Sequence, residues 1–378
     1  MKQEIGFDVI VVGGGLAGLT AAIHLSKHHK SVLVIEKEVY GKHKVCGEYI
    51  SNEVLPYLNY LGIDVFNLGA KRIKKFELST IKNKLLTSKL PLGGFGISRC
   101  LLDYELAEQA KRTNVKIVHN SVNEIDFSED QFTVATKEKK IFTSKIVIGA
   151  YGKRSAIDVK LERPFIKQKS PYLGVKIHVK GNFPEDVIAL HNFEGGYCGV
   201  SKVENDSINM CYITNFKAFK KYKDIETFQK QVVYKNNYLK ELFENSTPVF
   251  DSPLSISQIS FSNKNPVEGH IIMCGDTAGM IHPLCGNGMS MAIRSAQMAT
   301  ELILNYLNGE ISSRSVLEKK YTQKWNKTFK IRLKAGHYVA TLFDKAQVTE
   351  RLVGILNYIP ALVPQIIRLT HGKPMQVK

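Results

Sequence analysis

The sequence predicts an α/β chain in three parts: a Rossmann-like nucleotide-binding domain, an antiparallel-sheet domain inserted into it, and a C-terminal helical region. Three observations predict it. Asp8-Val9-Ile10-Val11-Val12 is an apolar run of the buried parallel-strand kind, and it meets the turn Gly13-Gly14-Gly15 as the opening strand of a βαβ unit does. From about residue 170 to 260 the pattern changes to short strand-like segments at hairpin spacing. Beyond Gly288 the apolar residues recur mostly at helical spacing. The resulting boundaries are 1–72, 95–160 and 265–310 for the nucleotide-binding domain, 73–94 and 161–264 for the substrate domain, and 311–378 for the helical region.

Element by element, the first glycine turn leads into a helix over 16–28, whose Leu16, Leu19 and Ile23 face a sheet, and residues 31–35 return as a second strand. A helix capped by Ser51 covers 51–61. Strand patterns occupy 73–90, a helix 101–111, and strands 116–118, 132–135 and 146–148. Segments 174–179, 188–193, 197–203 and 208–214 are the antiparallel strands of the insert, with Glu194-Gly195-Gly196 as a hairpin turn. Residues 270–274 are once more a buried strand. Pro283, Pro360 and Pro364 break the mostly helical pattern of the last hundred residues.

Composition narrows the function. The chain has 378 residues, is 44% hydrophobic, and carries 52 Lys and Arg against 35 Asp and Glu, for a pI near 9.4. No aromatic-basic motif accompanies the lysines, so nucleic acid is not an expected partner. A solvated lysine-rich surface is the first reading, and weak peripheral attraction to an anionic membrane or a diphosphate substrate the second. No apolar run reaches the roughly 20 residues that span a bilayer. The N-terminal residues lack a signal-peptide layout, which points to the cytoplasm. Six cysteines form no C-x-x-C pair, which argues against a zinc site or a disulfide framework, and no metal is expected.

Gly13-Gly14-Gly15-Leu16-Ala17-Gly18 fits G-x-G-x-x-G, and Glu36-Lys37 closes the second strand 23 residues after Gly13. Gly13 allows the tight turn, Gly15 the approach of a pyrophosphate, and Gly18 the packing of helix on strand. The helix N-terminus then binds phosphate, and Glu36 accepts a ribose hydroxyl. This element alone leaves NAD and FAD open.

Gly275-Asp276, six further residues, and Pro283 resemble the G-D-x6-P signature of the flavoprotein hydroxylases. Val45-Cys46-Gly47-Glu48, Ile97-Ser98-Arg99 and Gly149-Ala150-Tyr151-Gly152 stand in that family's order, so the resemblance spans about residues 5–310. The chain is similar to the geranylgeranyl-reductase-like branch in its Cys-Gly-Glu loop and Pro-x-x-Gly-x-Gly turn. The resemblance implies FAD, with Asp276 on the ribityl chain, Arg99 on the opposite side, Cys46, Gly47 and Gly152 nearby, and Gly286, Asn287, Gly288 and Met289 at the isoalloxazine edge. Two departures matter. Tyr151 replaces an Asp that serves FAD and NADPH, which leaves the electron donor open between NAD(P)H and a separate reductase protein. Gly199 stands where a substrate-strand Trp is the rule.

The expected activity is FAD-dependent oxidoreduction of a hydrophobic small molecule, first as reduction of carbon–carbon double bonds in an isoprenoid or polyene. A flavin monooxygenase acting on an aromatic or polyketide substrate is the alternative, and a non-catalytic flavin-binding protein a third. Cys46, Tyr197 and His282 are the candidate catalytic side chains, although packing suits Cys46, and structural hydrogen bonding His282, better than chemistry does. His191 and Tyr197 belong to neighbouring strands that face either the substrate cavity or the core. The apolar stretch 352–369 either docks on the protein, lines a substrate tunnel, or touches a membrane.

Overall fold

The computed structural model describes residues 5–168, 170–222, 224–257, 259, 261–343 and 345–377; residues 1–4, on which the signal-peptide reading rests, lie outside them. The chain opens with β1 (Ile5–Val12), α1 (Leu16–Lys27) and β2 (Val32–Glu36), then a short β3 (Tyr49–Ser51) and α2 (Leu55–Tyr60). β4 (Lys71–Ser79) and β5 (Leu85–Gly96) form a long hairpin, followed by α3 (Arg99–Arg112), β6 (Lys116–His119), β7 (Val122–Ser128), β8 (Gln131–Thr136) and β9 (Ile141–Gly149). The expected 51–61 helix is divided. Ser51 Oγ accepts from the Glu53 amide at 3.3 Å and starts a 3₁₀ turn over Asn52–Val54, after which α2 begins with Pro56 in its first turn.

α4 (Ala156–Lys160) leads to a meander of β10 (Tyr172–Lys180), β11 (Val187–Phe193), β12 (Gly196–Lys202) and β13 (Ile208–Asn215). Three short helices, α5 (Phe216–Phe219), α6 (Ile225–Gln231) and α7 (Asn237–Glu244), cover its back. β14 (Thr247–Pro248) and β15 (Leu254–Ile256) flank β10, and β16 (Val267–Glu268) and β17 (Ile271–Met273) return the chain to the first sheet. The chain closes with α8 (Gly288–Leu307), α9 (Arg314–Phe343), α10 (Ala346–Tyr358) and α11 (Leu362–Thr370).

The first sheet has the order β16-β17-β9-β1-β2-β6, and β7 and β8 extend from β9. β1 lies parallel between β2 and β9, with Val11 opposite both Val34 and Ile148. Both faces of these central strands are covered, which is why they read as continuous apolar runs. The second sheet runs β14-β10-β13-β12-β11-β4-β5-β3. Its strands are antiparallel except where β4 pairs parallel with β11, at Leu78 opposite Leu190. Alternation in sequence gives the strand but not the direction of its neighbour, and this pairing joins the 71–96 hairpin to the meander.

α9 buries Leu317, Tyr321, Trp325 and Phe329, one residue per turn on one stripe. Tyr321 donates to the Met273 carbonyl at 2.6 Å, and the Trp325 ring lies where a Cβ on Gly279 would meet it at 2.9 Å. The C-terminal helices are thus fastened onto the turn after β17.

Arg163 provides a second fastening. Its guanidinium is 2% exposed and donates to Asp158 Oδ1 at 2.8 Å and to the carbonyls of Thr277 and Asn265 at 3.0 Å. Removing the cation would leave the buried Asp158 charge without its counter-ion and two carbonyls without this donor. Arg163→Met is expected to cost about 3–5 kcal/mol, read as a lower urea midpoint at unchanged slope.

Candidate cofactor and substrate site

Three parallel neighbours end at one edge of the first sheet, β1 before Gly13, β9 before Ala150 and β17 before Cys274-Gly275. The chain leaves β1 towards β2 on one side and comes back to β9 on the other, so this edge is the switch point at which an α/β sheet opens a crevice. A cavity of about 490 Å³ begins there and continues between the second sheet and α9–α11.

The first turn divides its glycines by task. Gly13 has φ +104°, and a Cβ on Gly18 would lie 1.9 Å from the Gly13 carbonyl, so these two allow strand and helix to touch. A Cβ on Gly15 would meet only Arg99 Nη2, at 3.7 Å, and one on Gly47 or Gly152 would meet nothing within 4 Å. Those three positions leave room for a ligand. Gly15, Leu16 and Ala17 line the cavity where the uncapped N-terminus of α1 offers its free amides. The Tyr40 hydroxyl, buried beside Gly14, has no hydrogen-bond partner among the described residues.

Glu36 and Lys37 differ from expectation. The Glu36 carboxylate turns back on its own loop, accepting from the Gly14 amide at 2.6 Å and the Glu38 amide at 2.9 Å. The glycine turn has amides to satisfy, and Glu36 is the acceptor within reach. Lys37 is exposed and does not line the cavity.

The late turn supplies the other wall. Gly275, Asp276, Pro283, Gly286, Gly288 and Met289 all line the cavity. The Asp276 carboxylate has no hydrogen bond to another described residue, while its carbonyl accepts from Lys264 Nζ at 2.7 Å. Gly288 opens the 20-residue α8, whose first amides and positive dipole end face this space. Thr277 ties the turns together, accepting from the Gly152 amide at 2.9 Å and donating to its carbonyl at 3.1 Å. Between Gly286 and Gly288, the Asn287 side chain is fully buried and donates to the Thr370 carbonyl at 2.5 Å, so it holds α11 and does not line the cavity.

Cations collect at this end. Arg99 makes a two-bond fork to Asp103, 2.8 Å on each arm, and Lys44 reaches the same carboxylate at 2.7 Å. Lys153 lines the cavity with its ammonium unbonded among the described residues, and burial draws it below the usual lysine range. Burial also pushes Lys264 down to about 8. In sequence neither lysine stands out, since each is one among many. Burial raises the thiol of Cys46, which stays protonated with Sγ 3.5 Å from Met289 Sδ. The Cys211 and Cys285 thiols are pushed up to about 12, also by burial.

The Cys-Gly-Glu loop is held from the second sheet. Glu48, with φ +53°, accepts through Oε1 from the Arg99 amide at 2.8 Å and from Lys176 Nζ, and pairs through Oε2 with His178 Nε2 at 2.6 Å. Desolvation works against this carboxylate, yet the hydrogen bond from His178 and the charge of Lys176 hold it below the ordinary range. Asn209 donates to the carbonyls of Cys46 at 3.2 Å and Gly47 at 2.8 Å. His43, Glu48 and His178 bring ligand-type atoms within 4.8 Å of one another, but the buried Lys176 ammonium on the same carboxylate opposes a cation there. Sequence carries a signal for this clamp: Lys176 and His178 alternate with Val175, Ile177 and Val179, and a strand with one polar and one apolar face marks an interface.

The candidate catalytic side chains separate. Cys46 and Tyr197 line the cavity; His282 does not. His282 Nδ1 accepts from the Leu284 amide at 3.3 Å and so caps the turn, in keeping with a structural role. On β12 Tyr197 and Gly199 face the cavity, while Cys198 and Val200 face the opposite core. His191 lies outside the cavity, bonded to Ser79 Oγ at 2.8 Å and stacked on Tyr238.

This edge, with its unpaired Asp276, orphaned Tyr40 hydroxyl and three glycines that leave room beside the backbone, fits a flavin dinucleotide. A sequence profile described as an FAD binding domain matches residues 6–327. The chain belongs to that FAD-binding family. It is an FAD-dependent oxidoreductase. It is 25% identical over 366 residues to a digeranylgeranylglycerophospholipid reductase of Methanococcus vannielii, covering 90% of this chain and 85% of that one. It is 21% identical over 356 residues to conditioned medium factor receptor 1 of Dictyostelium discoideum, covering 86% and 69%. Among solved structures, a flavin-dependent brominase superposes with TM-score 0.78 at 17% identity, over 97% of this chain and 93% of that one. A geranylgeranyl bacteriochlorophyll reductase-like protein of Thermoplasma acidophilum gives 0.76 at 16%, over 97% and 98%.

Two outcomes are expected of the flavoprotein. Purified protein should be yellow, and Asp276→Ala and Gly15→Val should each lower bound flavin per chain, read from the visible absorbance; colourless wild-type protein that takes up no added FAD would sink the assignment of this edge. Second, burial lowers His191 and His282 to about 4. Their neutral forms favour folding above the unfolded value near 6.5, and that contribution is lost as pH falls from 6.5 towards 4. The urea midpoint should drop across that window, and His191→Asn should flatten the drop.

Proposed function

We propose that this flavoprotein reduces carbon–carbon double bonds in a long apolar substrate of isoprenoid type. The observation that carries the reading is the asymmetry of the cavity. One end holds Arg99, Lys153 and Asp276; from there the wall is aliphatic, including Leu78, Leu86, Leu190, Val353, Leu356 and Ile367. A narrow apolar cavity binds by excluding water along a chain, at about 25 cal/mol for each Å² covered. The naming of relatives as digeranylgeranylglycerophospholipid reductases supports the same substrate class.

Bound FAD would supply two-electron chemistry at the polar end. The residues of the chain do the rest. The Gly15 cradle and the α1 amides hold phosphate, and the unpaired Asp276 carboxylate is free to accept a hydroxyl. The α8 N-terminus and Lys153 favour negative charge at that end. Cys46 keeps a proton on Sγ at the junction of the polar and apolar regions, and Tyr197 borders the chain channel.

Gly199 gives this reading a direct test. A Cβ there would meet the Cys211 carbonyl and Leu190 Cδ2 at 3.7 Å, so a large side chain would project into the channel. Anaerobically reduced wild-type protein should raise the mass of a polyprenyl substrate by two hydrogens per reduced double bond. Gly199→Trp should lose this activity for long chains while keeping its flavin. Failure to saturate any polyprenyl or polyene would overturn the proposal, and gain of one oxygen atom in air would replace it with a monooxygenase.

A further inference from the structure

We infer that the outer faces of α9, α10 and α11 form a docking surface for an anionic lipid bilayer. The exposed large apolar side chains of the molecule concentrate there: Ile331, Tyr338 and Leu342 on α9, Ile355 and Tyr358 on α10, and Leu362, Ile366 and Leu369 on α11. Ile331 is 70%, Tyr338 71% and Tyr358 89% exposed. Each set falls on one helical face, with steps of seven and four residues on α9, three on α10, and four and three on α11. An adjoining side of α11, at Val363 and Ile367, lines the cavity, so the apolar surface of this helix runs from the cavity round to its outer face, with Gln365 and Arg368 on the remaining side.

Charge selects a bilayer over a second protein. Residues 314–378 contain thirteen lysines and arginines against three acids, a net of ten positive charges out of the seventeen on the whole chain. The basic excess is therefore concentrated in this segment rather than spread evenly over the chain. Lys330, Lys334, Lys345, Arg351 and Arg368 are exposed and form no ion pair with a described residue. Isoleucine and tyrosine rimmed by unpaired cations is the composition of a helix lying in the headgroup region, where long basic side chains reach phosphate. No helix among the described residues is long and apolar enough to cross a membrane, so the contact is interfacial. A second copy of the chain would bring the same positive face against itself.

The surface also meets the cavity. Leu342 and Ile366 line the cavity and are 43% and 37% exposed, which puts the rim of the apolar channel inside the patch. A lipid-dissolved substrate could pass from bilayer to channel without crossing water. That entry route rests on the proposed apolar substrate; the docking does not.

The test uses FAD-loaded full-length protein and vesicle flotation. Binding is expected to phosphatidylcholine vesicles containing phosphatidylglycerol, to weaken with salt, and to be slight on phosphatidylcholine alone. The double variant Ile355→Glu, Tyr358→Glu, at exposed positions outside the cavity, should lower partitioning by about tenfold or more with its flavin spectrum unchanged. Arg351→Glu with Arg368→Glu should remove the preference for anionic lipid. Absence of flotation at low salt would overturn docking, as would binding indifferent to both double variants. A dimer in light scattering that Ile355→Glu, Tyr358→Glu dissolves would assign the face to a second copy instead. Loss of polyene reduction with flotation intact would strike the proposed reaction and leave the docking standing.

Discussion

The buried carboxylate of Glu48 is the interaction on which the site depends. The cavity lies between two sheets, and only a few polar groups cross from one to the other. Glu48 accepts from Arg99 at the start of α3 and from Lys176, and pairs with His178 of β10. All three side chains of the Glu48, Lys176 and His178 triad are buried, at 0%, 0% and 3% exposure. A buried ion pair gains little over a well-packed apolar pair, but losing one partner strands the other charge and costs several kcal/mol. The triad therefore fixes relative geometry more than it adds stability. Because Glu48 also sits in a left-handed backbone conformation, its neighbours Cys46 and Gly47 have one path through the interface.

That constraint explains the two-ended cavity. Polar groups are crowded where the three glycine turns and the clamp converge, and among the described residues Asp276, Lys153 and the helix N-termini are the ones left to meet a ligand. Further along, β11 and β12 contribute alternate residues, and most of what α10 and α11 contribute is aliphatic, so that part of the cavity suits an apolar ligand. The charged, donor-rich end suits the phosphates and ribityl hydroxyls of a flavin dinucleotide, and the apolar end leaves the rest of the cavity to a hydrophobic molecule.

Local physics makes much of the fold legible in sequence. Strand β1, the glycine turn, α1 and the late Gly275-Asp276 turn each declare themselves within a dozen residues, because strand burial, turn glycines and helix onset are short-range features. The direction of a side chain that serves a distant segment is not written locally. Glu36 looks free in sequence but is taken by Gly14 and Glu38. Asn287 lies in a flavin-type turn but is claimed by Thr370, 83 residues on. His191 and Tyr197 sit on adjacent strands with either face available, and pairing register sends Tyr197 to the cavity and His191 to the back. Lys153 and Lys264 are hidden by the abundance of lysine, since only the fold decides which of them is desolvated.

The C-terminal helices resolve a tension in such an arrangement. A channel for a long apolar molecule needs an apolar wall on its inside, and a helix of ordinary length has little polar surface left if its outside is apolar too. α11, nine residues long, carries Val363 and Ile367 inward, Leu362 and Leu369 outward, and Ile366 at the rim between them. In water the outward set is a cost without a compensating contact. The cost disappears if the outside of the wall is itself in contact with an apolar phase. The same side chains then close the channel against water and open it towards the phase in which a substrate of the proposed apolar class dissolves.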